Sequence, residues 1–318
     1  MRIVFAGSPK LSVPALEAVH HGHQVCAVLT KPDQPKGRSD TPEATAVKLK
    51  ALELGLTIFQ PEQLDRTFLD SVNALQPELL VAVAFGKIFK QDLLELFPYG
   101  GINLHPSLLP KHRGPSPIPA AILAGDNETG VSIQRLALKM DAGAILAAER
   151  LPLSGAETTG SLSTVLSEIG SRLLVTVLGD LEKCRSGRSK LPEETQREEE
   201  ASYCRLVEKN DGCINWAEPA ELIERKIRAY YPWPGSFSNC RGRRLTILAA
   251  GVCSHDKASG QAKGLVLGTD KRYGILINTG KQVLYVTRLQ LQAKKALDWQ
   301  AFLNGQRDFV GTQLGGEA

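Results

Sequence analysis

The sequence predicts an α/β protein of two domains, in which a doubly wound, mostly parallel sheet is followed by a small antiparallel barrel of the OB type. The first half of the chain alternates short apolar runs with helix-like stretches, as parallel sheets covered by helices do. The last third instead has short strands separated by glycine turns. At 318 residues the chain is long enough for two hydrophobic cores.

The parallel sheet is predicted from four runs rich in Val, Ile and Leu, because strands buried on both faces are apolar throughout. These runs are residues 2–6, 24–30, 79–85 and 100–104, and the helix-like stretches are 12–21, 43–55, 62–75 and 88–97. Two further strands, 131–136 and 144–151, flank Asp141. The first turn, AGSPKLSVP, lacks the G-x-G-x-x-G pattern, which argues against a dinucleotide-binding dehydrogenase.

The second domain follows a charged connection. An amphipathic stretch, 160–183, closes the first domain, and the polar run 186–200 is predicted to be an exposed linker whose three consecutive glutamates are solvated. A helix over 217–228 comes next. The predicted strands after it are SFSNC, RLTILAA, KGLVLG, YGILIN and QVLYVTRLQ, and KKALDWQAFLNG is a terminal helix. We therefore predict a first domain at 1–189, a linker at 190–205 and a second domain at 206–318.

The composition predicts a soluble cytoplasmic protein, with 42% hydrophobic and 23% charged residues. No run approaches the roughly 20 apolar residues of a membrane span. The chain begins directly with a strand-like RIVFA, without the pattern of a signal peptide. Its six cysteines form no C-x-x-C pair, so we expect reduced thiols, with no disulfide and no metal site.

The charge is unevenly distributed along the chain. Residues 1–189 carry 19 basic and 19 acidic side chains, whereas residues 206–318 carry 16 basic and 10 acidic ones, a net charge of +6. A positive domain favours a polyanionic partner, because Lys and Arg release condensed counterions when they bind phosphates. The same charge is also compatible with an ordinary soluble surface.

The stretch GINLHPSLLPKHRG contains the candidate catalytic residues. Asn103 and His105 are two residues apart at the end of a predicted strand, so they point to the same face, and Pro106 ends the strand. Ligands of open α/β sheets bind at the carboxyl ends of strands. Asp141, in the loop-like KMDAGAI, is a candidate to orient or charge the imidazole. Such a set without a Ser or Cys nucleophile suits transfer to an amine, with Asn and His stabilising an oxyanion and the His/Asp pair taking up a proton.

A structural role for these residues is the alternative. A single buried histidine often serves only as a hydrogen-bonding group, and a proline-rich exit from a strand is often only a turn. The residues alone leave both interpretations open.

The string NLHPSLLPKHRG, followed by GD, ETGVSI and MDAG, resembles the formyltetrahydrofolate-dependent formyltransferases. RIVFAGSP near the start and RAYYPWPG in the second domain make it similar to the branch that acts on methionyl-tRNA. The resemblance extends from Arg2 to about Phe309. It implies a formyltransferase fold and transfer of the formyl group of 10-formyltetrahydrofolate to the α-amine of methionine on initiator methionyl-tRNA. No feature of the sequence demands a metal, and we expect a monomer.

The resemblance assigns roles to residues by position. It makes Asn103, His105 and Asp141 catalytic. It places Ser107, Leu108, Leu109 and Pro110 in the folate site, where a pteridine needs an apolar slot with a few backbone donors and acceptors. The strand end at Phe85 and Gly86 would be a neighbouring wall. SLLP by itself is more typical of a plain hydrophobic loop than of a folate site.

The tRNA contacts are expected in two places. In the family, a loop after the second strand contacts the acceptor end, and Lys36 and Arg38 lie there, although SDTPEA replaces a more basic stretch. In the second domain, basic residues lie among aromatic ones, a combination that suits an RNA end. They include Arg228, Arg241, Arg243 and Arg244. The Pro-Trp-Pro-Gly segment is just as compatible with packing, and Leu206 stands where many members have Lys.

Four other functions remain as alternatives. Glycinamide ribonucleotide formyltransferases leave residues 206–318 unexplained, because they end after about one domain. Sugar-nucleotide formyltransferases and the hydrolase part of formyltetrahydrofolate dehydrogenase have comparable two-domain layouts. A catalytically silent RNA-binding protein would not need His105. The length and the basic second domain favour tRNA as the acceptor.

Overall fold

A computed structural model describes residues 1–35, 41–188, 191–254 and 260–315 of the chain. The chain divides into two compact units. The N-terminal unit consists of Met1–Pro117, Glu128–Pro152 and Leu162–Arg205, and the C-terminal unit of Ile118–Asn127, Leu153–Ser161 and Leu206–Ala318.

The N-terminal unit is built on a seven-stranded sheet. Its strands are β1 (Arg2–Gly7), β2 (Gln24–Leu29), β5 (Ile58–Phe59), β6 (Leu79–Val83), β7 (Gly101–His105), β8 (Glu128–Arg135) and β9 (Ile145–Pro152), and β3 (Gln34–Pro35) and β4 (Pro42–Glu43) form a separate ribbon. The order in the seven-stranded sheet is β5-β2-β1-β6-β7-β8-β9. The first five strands in the order are parallel, and β8 and β9 are antiparallel. The predicted mostly parallel sheet is therefore confirmed.

Helices of the N-terminal unit pack on this sheet, and two of them begin at a capping side chain. The α-helices of the described residues, in both units, are α1 (Val13–Gly22), α2 (Ala46–Glu53), α3 (Arg66–Asn73), α4 (Gln91–Leu94), α5 (Pro117–Ala124), α6 (Thr159–Arg185), α7 (Ala220–Ala229) and α8 (Trp299–Asn304). The side chains of Thr45 and Asp65 accept hydrogen bonds from the first turns of α2 and α3. The predicted helix at 88–97 is only the single turn α4.

Helix α6 is the one helix in the described residues that is long and apolar enough to cross a membrane by length and composition. Its apolar side is part of the N-terminal core, where Leu162, Leu166 and Leu174 are buried. Gly170 lies against Leu104 of β7 so closely that a Cβ would be 2.7 Å from the leucine side chain. These contacts are those of a core helix.

The C-terminal unit contains a mainly antiparallel sheet of six strands. They are β10 (Ser236–Cys240), β11 (Arg243–Cys253), β12 (Val266–Asp270), β13 (Gly274–Asn278), β14 (Val283–Leu291) and β15 (Leu297–Asp298). The order is β10-β11-β14-β13-β12, and β15 pairs with β14. Helix α7 packs on β11 and β14, with Ile223 and Ile227 in the core. The antiparallel sheet agrees with the prediction.

The expected OB-like barrel is not closed, because a chain segment lies where β10 and β12 would meet. Gly311 donates a backbone hydrogen bond to Val266 of β12, and Thr312 accepts one from it. Gly315 donates to Asn239 of β10. The segment 309–315, here named the closing segment, therefore takes the place of direct pairing between the two outer strands.

Candidate active site

Strand β7 carries Asn103 and His105 to the carboxyl end of the parallel part of the sheet. It pairs with parallel β6 on one side and antiparallel β8 on the other. His105 is 4% exposed and Asn103 is half-buried. As the spacing predicts, the two side chains belong to one face of the strand.

Asp141 lies in the loop between β8 and β9, with a backbone φ of +51°. Its Oδ1 atom accepts hydrogen bonds from the Gln134 side chain at 2.9 Å and from the Asn103 amide at 3.5 Å. Its Oδ2 atom accepts one from the Gly114 N–H at 2.8 Å and lies 3.7 Å from the Nδ1 atom of His105. The structure thus brings together the three residues that the sequence suggests for catalysis.

The hydrogen bonds of His105 determine which ring nitrogen carries its proton. Nε2 lies 3.0 Å from the carbonyl oxygen of His112, which can only accept, so Nε2–H is the donor. In the neutral ring, Nδ1 then has a lone pair that faces the Asp141 carboxylate. Burial lowers the pKa of His105, and the Asp141 charge and the hydrogen bond to His112 oppose that shift. The arrangement gives a neutral imidazole whose Nδ1 atom can accept a proton beside the Asp141 carboxylate.

The predicted folate residues surround the turn that follows β7. Ser107 and Leu109 are buried, and both contact the Ser132 hydroxyl, which donates to the Ser107 carbonyl at 2.8 Å and accepts from the Leu109 N–H at 3.1 Å. Leu108 and Pro110 are half-buried. The Ser132 hydroxyl therefore connects the turn to β8 by two hydrogen bonds.

The other predicted wall lies at the end of β6. Phe85 is 3% exposed and stacks on Phe89 with 5.5 Å between ring centroids. Gly86 is exposed and has a φ of +76°. Of the two residues, only Gly86 presents surface to solvent.

Gln134, Ser132 and Gly114 also contact this site, and the sequence analysis did not identify them. Ser132 pairs with His105 across the β7–β8 ladder, and Gln134 pairs with Asn103. The alternation of polar side chains along SIQ in a buried strand is the signal that could have revealed the first two. Gly114 could not have been found, because it contributes a backbone N–H.

Segment 194–204 packs against these loops, although the sequence predicts a linker there. Glu194 exchanges backbone hydrogen bonds with Ile145, and Arg113 pairs with Tyr203 in a parallel bridge. Glu198 forms ion pairs with Lys139 and Arg113, which lower its pKa to about 2. The expectation that this glutamate is only solvated is therefore wrong.

The basic residues predicted for RNA are largely engaged within the C-terminal unit. Arg228 forms an ion pair with Glu224, and Arg241 does so with Asp308. Arg244 lies over the Phe237 ring at 3.5 Å, whereas Arg243 is exposed. Lys36 and Arg38 lie outside the described residues, and the tRNA-binding assignments stay predictions.

The fold and the polar cluster at the end of β7 define an α/β protein with a candidate site at the carboxyl end of its parallel strands, and comparison with known proteins specifies the family. Residues 1–178 match the family described as formyl transferase, and residues 206–307 match the formyl transferase C-terminal domain. The chain therefore belongs to the formyl transferase family. No group of three or more His, Cys, Asp or Glu side chains that could hold a metal occurs in the described residues.

Several relatives are similar along almost the whole chain. The methionyl-tRNA formyltransferase of Treponema denticola is 46% identical over 322 residues, which cover 98% of each chain. That of Chloroflexus aurantiacus is 40% identical over 307 residues, 96% of this chain and 97% of the relative.

A solved structure shares the fold at lower identity. HypX from Aquifex aeolicus, in complex with tetrahydrofolic acid, matches 98% of this chain with 18% identity and a TM-score of 0.63. This chain spans about half of HypX, 48% of its length.

Proposed function

We propose that this protein transfers the formyl group of 10-formyltetrahydrofolate to the α-amine of methionine on initiator methionyl-tRNA, for translation initiation. One observation carries the proposal. Asn103, His105 and Asp141 converge at the end of β7 in a chain that is 46% identical, through both domains, to a methionyl-tRNA formyltransferase. The acceptor amine is the nucleophile, so the protein needs to supply only oxyanion stabilisation and proton transfer.

His105 acts as the proton acceptor in this proposal. Its Nδ1 lone pair takes the proton that the amine loses as the new C–N bond forms, and the Asp141 carboxylate stabilises the resulting imidazolium. The Asn103 amide donates a hydrogen bond to the oxyanion formed from the formyl oxygen. When the intermediate collapses, His105 returns the proton to the departing N10 of tetrahydrofolate. The protons balance, and the imidazole ends in its starting form.

The folate is proposed to bind along the turn after β7. Leu108, Pro110 and Gly86 keep exposed surface and would contact the pteridine, whereas Ser107, Leu109 and Phe85 would shape the slot from behind. The tetrahydrofolic acid in the HypX structure supports a folate as formyl donor in this fold.

The tRNA is proposed to bind through the basic second domain. We assign the catalytic domain to 1–189, a connection to 190–205 and the tRNA-binding domain to 206–318, with its net charge of +6. Arg228, Arg241, Arg243 and Arg244 would contact the acceptor stem, together with Lys36 and Arg38. The protein is proposed to work as a cytoplasmic monomer.

Formyl transfer to charged tRNA tests this function. Labelled 10-formyltetrahydrofolate is incubated with methionyl-tRNA and the wild type, Asn103→Ala or His105→Ala. We expect transfer by the wild type and a loss of about 10²-fold or more in each variant, because each removes one stabilising group. Unchanged turnover in His105→Ala would overturn its catalytic role. Formylation of an amino sugar nucleotide, or release of free formate, in place of transfer to tRNA would overturn the assigned acceptor.

A further inference from the structure

The Asp141 loop adopts a conformation that needs support. A non-glycine residue with a φ of +51° lies in a sparsely populated region, which persists only where surrounding contacts fix it. Next to it, Gly143 lies against β8 so closely that a Cβ would be 1.9 Å from the Arg135 carbonyl oxygen. The carboxylate of Asp141 points into the candidate site. Contacts that support its unusual backbone conformation must therefore come from the opposite side of the loop.

Gln196 provides that support from the 194–204 segment. Its side-chain amide donates to the backbone carbonyl of Asp141 at 2.9 Å and to that of Gly143 at 2.7 Å. Its Oε1 atom accepts a hydrogen bond from the Nε of Arg113 at 3.0 Å. The orientation of the amide is fixed by chemistry, because a flipped amide would direct its oxygen at two carbonyls and its NH₂ at a guanidinium.

Arg113 connects this support to the histidine as well. Its side chain is 1% exposed and donates hydrogen bonds to Gln196, Glu198 and Tyr203. The residues on either side of it contact the candidate catalytic pair: the His112 carbonyl accepts from His105, and the Gly114 N–H donates to Asp141. The backbone of residues 112–114 and the Gln196 side chain therefore form one rigid frame around the imidazole and the carboxylate.

We infer that Gln196 is a positioning residue, which holds the Asp141 loop through two backbone carbonyls so that the carboxylate stays beside the Nδ1 atom of His105. It contacts neither reacting atom and acts through Asp141. Its effect on the rate rests on the proposed function, whereas its effect on the geometry of the His105–Asp141 pair does not.

Titration of His105 separates positioning from simple stabilisation. Burial lowers the pKa of His105 most, the Asp141 carboxylate and the hydrogen bond to the His112 carbonyl raise it, and the His112 imidazole lowers it. Histidine labelled with ¹³C at Cε1 is followed by NMR from acid to alkaline pH in the wild type, Gln196→Met and Asp141→Asn. The His105 signal is assigned by its absence from His105→Gln.

We expect Gln196→Met, which keeps the shape of the side chain and removes both donors, to shift the His105 titration to lower pH, as Asp141→Asn does. The double variant should titrate like Asp141→Asn alone, because the glutamine acts only through that carboxylate. Glu200→Gln is the matched control, since the one ion pair that Glu200 forms among the described residues is with Arg197, at the surface of the same segment. It should titrate as the wild type does.

Kinetics provide a second measurement. Gln196→Met should lower kcat about 10- to 100-fold with little change in KM for the folate, because misplacing a supporting group affects the chemical step most. Gln196→Ala removes the amide without directing a new oxygen at the two carbonyls. It should show a similar loss of kcat, and Tm is followed in both variants, so the test does not depend on Gln196→Met folding.

The inference is overturned if the Gln196 variants lower Tm while the His105 titration and kcat stay as in the wild type. If the wild type fails to formylate methionyl-tRNA but Gln196→Met still shifts His105, the proposed function falls and the positioning role stands. If the wild type formylates tRNA and Gln196→Met does not shift His105, the function stands and the positioning role falls.

Discussion

The two candidate functional regions of this protein are organised in opposite ways. At the end of β7, the Asp141 carboxylate contacts four groups, from Asn103, Gln134, Gly114 and His105, and the site is largely withdrawn from solvent. On the C-terminal sheet, Arg241 pairs with Asp308 and Arg244 lies over the Phe237 ring, while Arg243 is exposed. Removing one member of a buried hydrogen-bond network leaves its partners unsatisfied and has a large effect. Removing one surface charge lowers the affinity for a polyanion by only a small amount.

The largest effect on the Asp141 network is expected from a substitution of Gly114, which contributes a backbone N–H and no side chain. Gly114 has a φ of +118°, and a Cβ there would lie 2.2 Å from the carbonyl oxygen of Cys204. We expect Gly114→Ala to lower the free energy of unfolding by about 2–3 kcal/mol, from backbone strain and the clash. It should also abolish most formyl transfer, because its N–H binds Asp141.

Gly55→Ala is the control for that substitution. Gly55 has a φ of +66°, but nothing lies within 4 Å of the position of its Cβ. Chemical denaturation should show a loss of about 1 kcal/mol, and kcat should not change. If both variants lost the same activity, backbone strain far from the site would impair it as much as strain next to it. That result would contradict a local network.

The basic surface should respond by smaller amounts. Arg243→Ala should weaken methionyl-tRNA binding about 3- to 10-fold and reduce the slope of log affinity against log salt by about one, if it contacts one phosphate. Arg241→Ala should have a smaller effect, since Arg241 already pairs with Asp308. Binding measured from low to high salt separates the two. A larger loss at Arg241 would show that its ion pair opens for RNA.

The smallest effect is expected at Glu198, whose pKa lies near 2 in the folded protein. A carboxyl with a depressed pKa contributes stability above its unfolded pKa of about 4.3 and loses it as the pH falls through its folded value. Glu198→Gln should therefore lower Tm modestly at pH 7, where the carboxylate's contribution is complete, and flatten the decline in Tm between about pH 4.5 and pH 2, so that the two curves converge at low pH. Parallel Tm curves for the two proteins over that range would refute this.

The candidate catalytic residues could be predicted from the sequence, and the residues that support them could not. Asn103 and His105 share a strand, so period-two alternation places them on one face, and Asp141 follows in a glycine-flanked loop. Gln196 and Arg113 are 83 residues apart, and nothing local links them. A polar, glutamate-rich run is typical of a solvated linker, and only tertiary contacts give its side chains partners.

The same distinction applies to the fold. The buried strands were predicted because continuous apolar runs are a local signal, whereas β5 and α5 were missed because one is very short and the other begins among prolines. Barrel closure could not be judged from strand spacing, since it depends on which segment reaches the sheet edges. The arginines were noticed for their charge. The ion pair of Arg241 with Asp308 joins residues 67 positions apart, whereas that of Arg228 with Glu224 is local to one helix.

The closing segment has a consequence for the C-terminal sheet. Outer strands with unpaired N–H and C=O groups are templates for pairing with another chain, and proteins suppress this by covering them. Gly311 and Thr312 cover the edge at β12, and Gly315 meets β10, while Leu314 is buried beneath them. These few residues therefore protect the sheet against edge-to-edge aggregation. A truncation or fusion that displaced them would expose two strand edges that can pair with another chain.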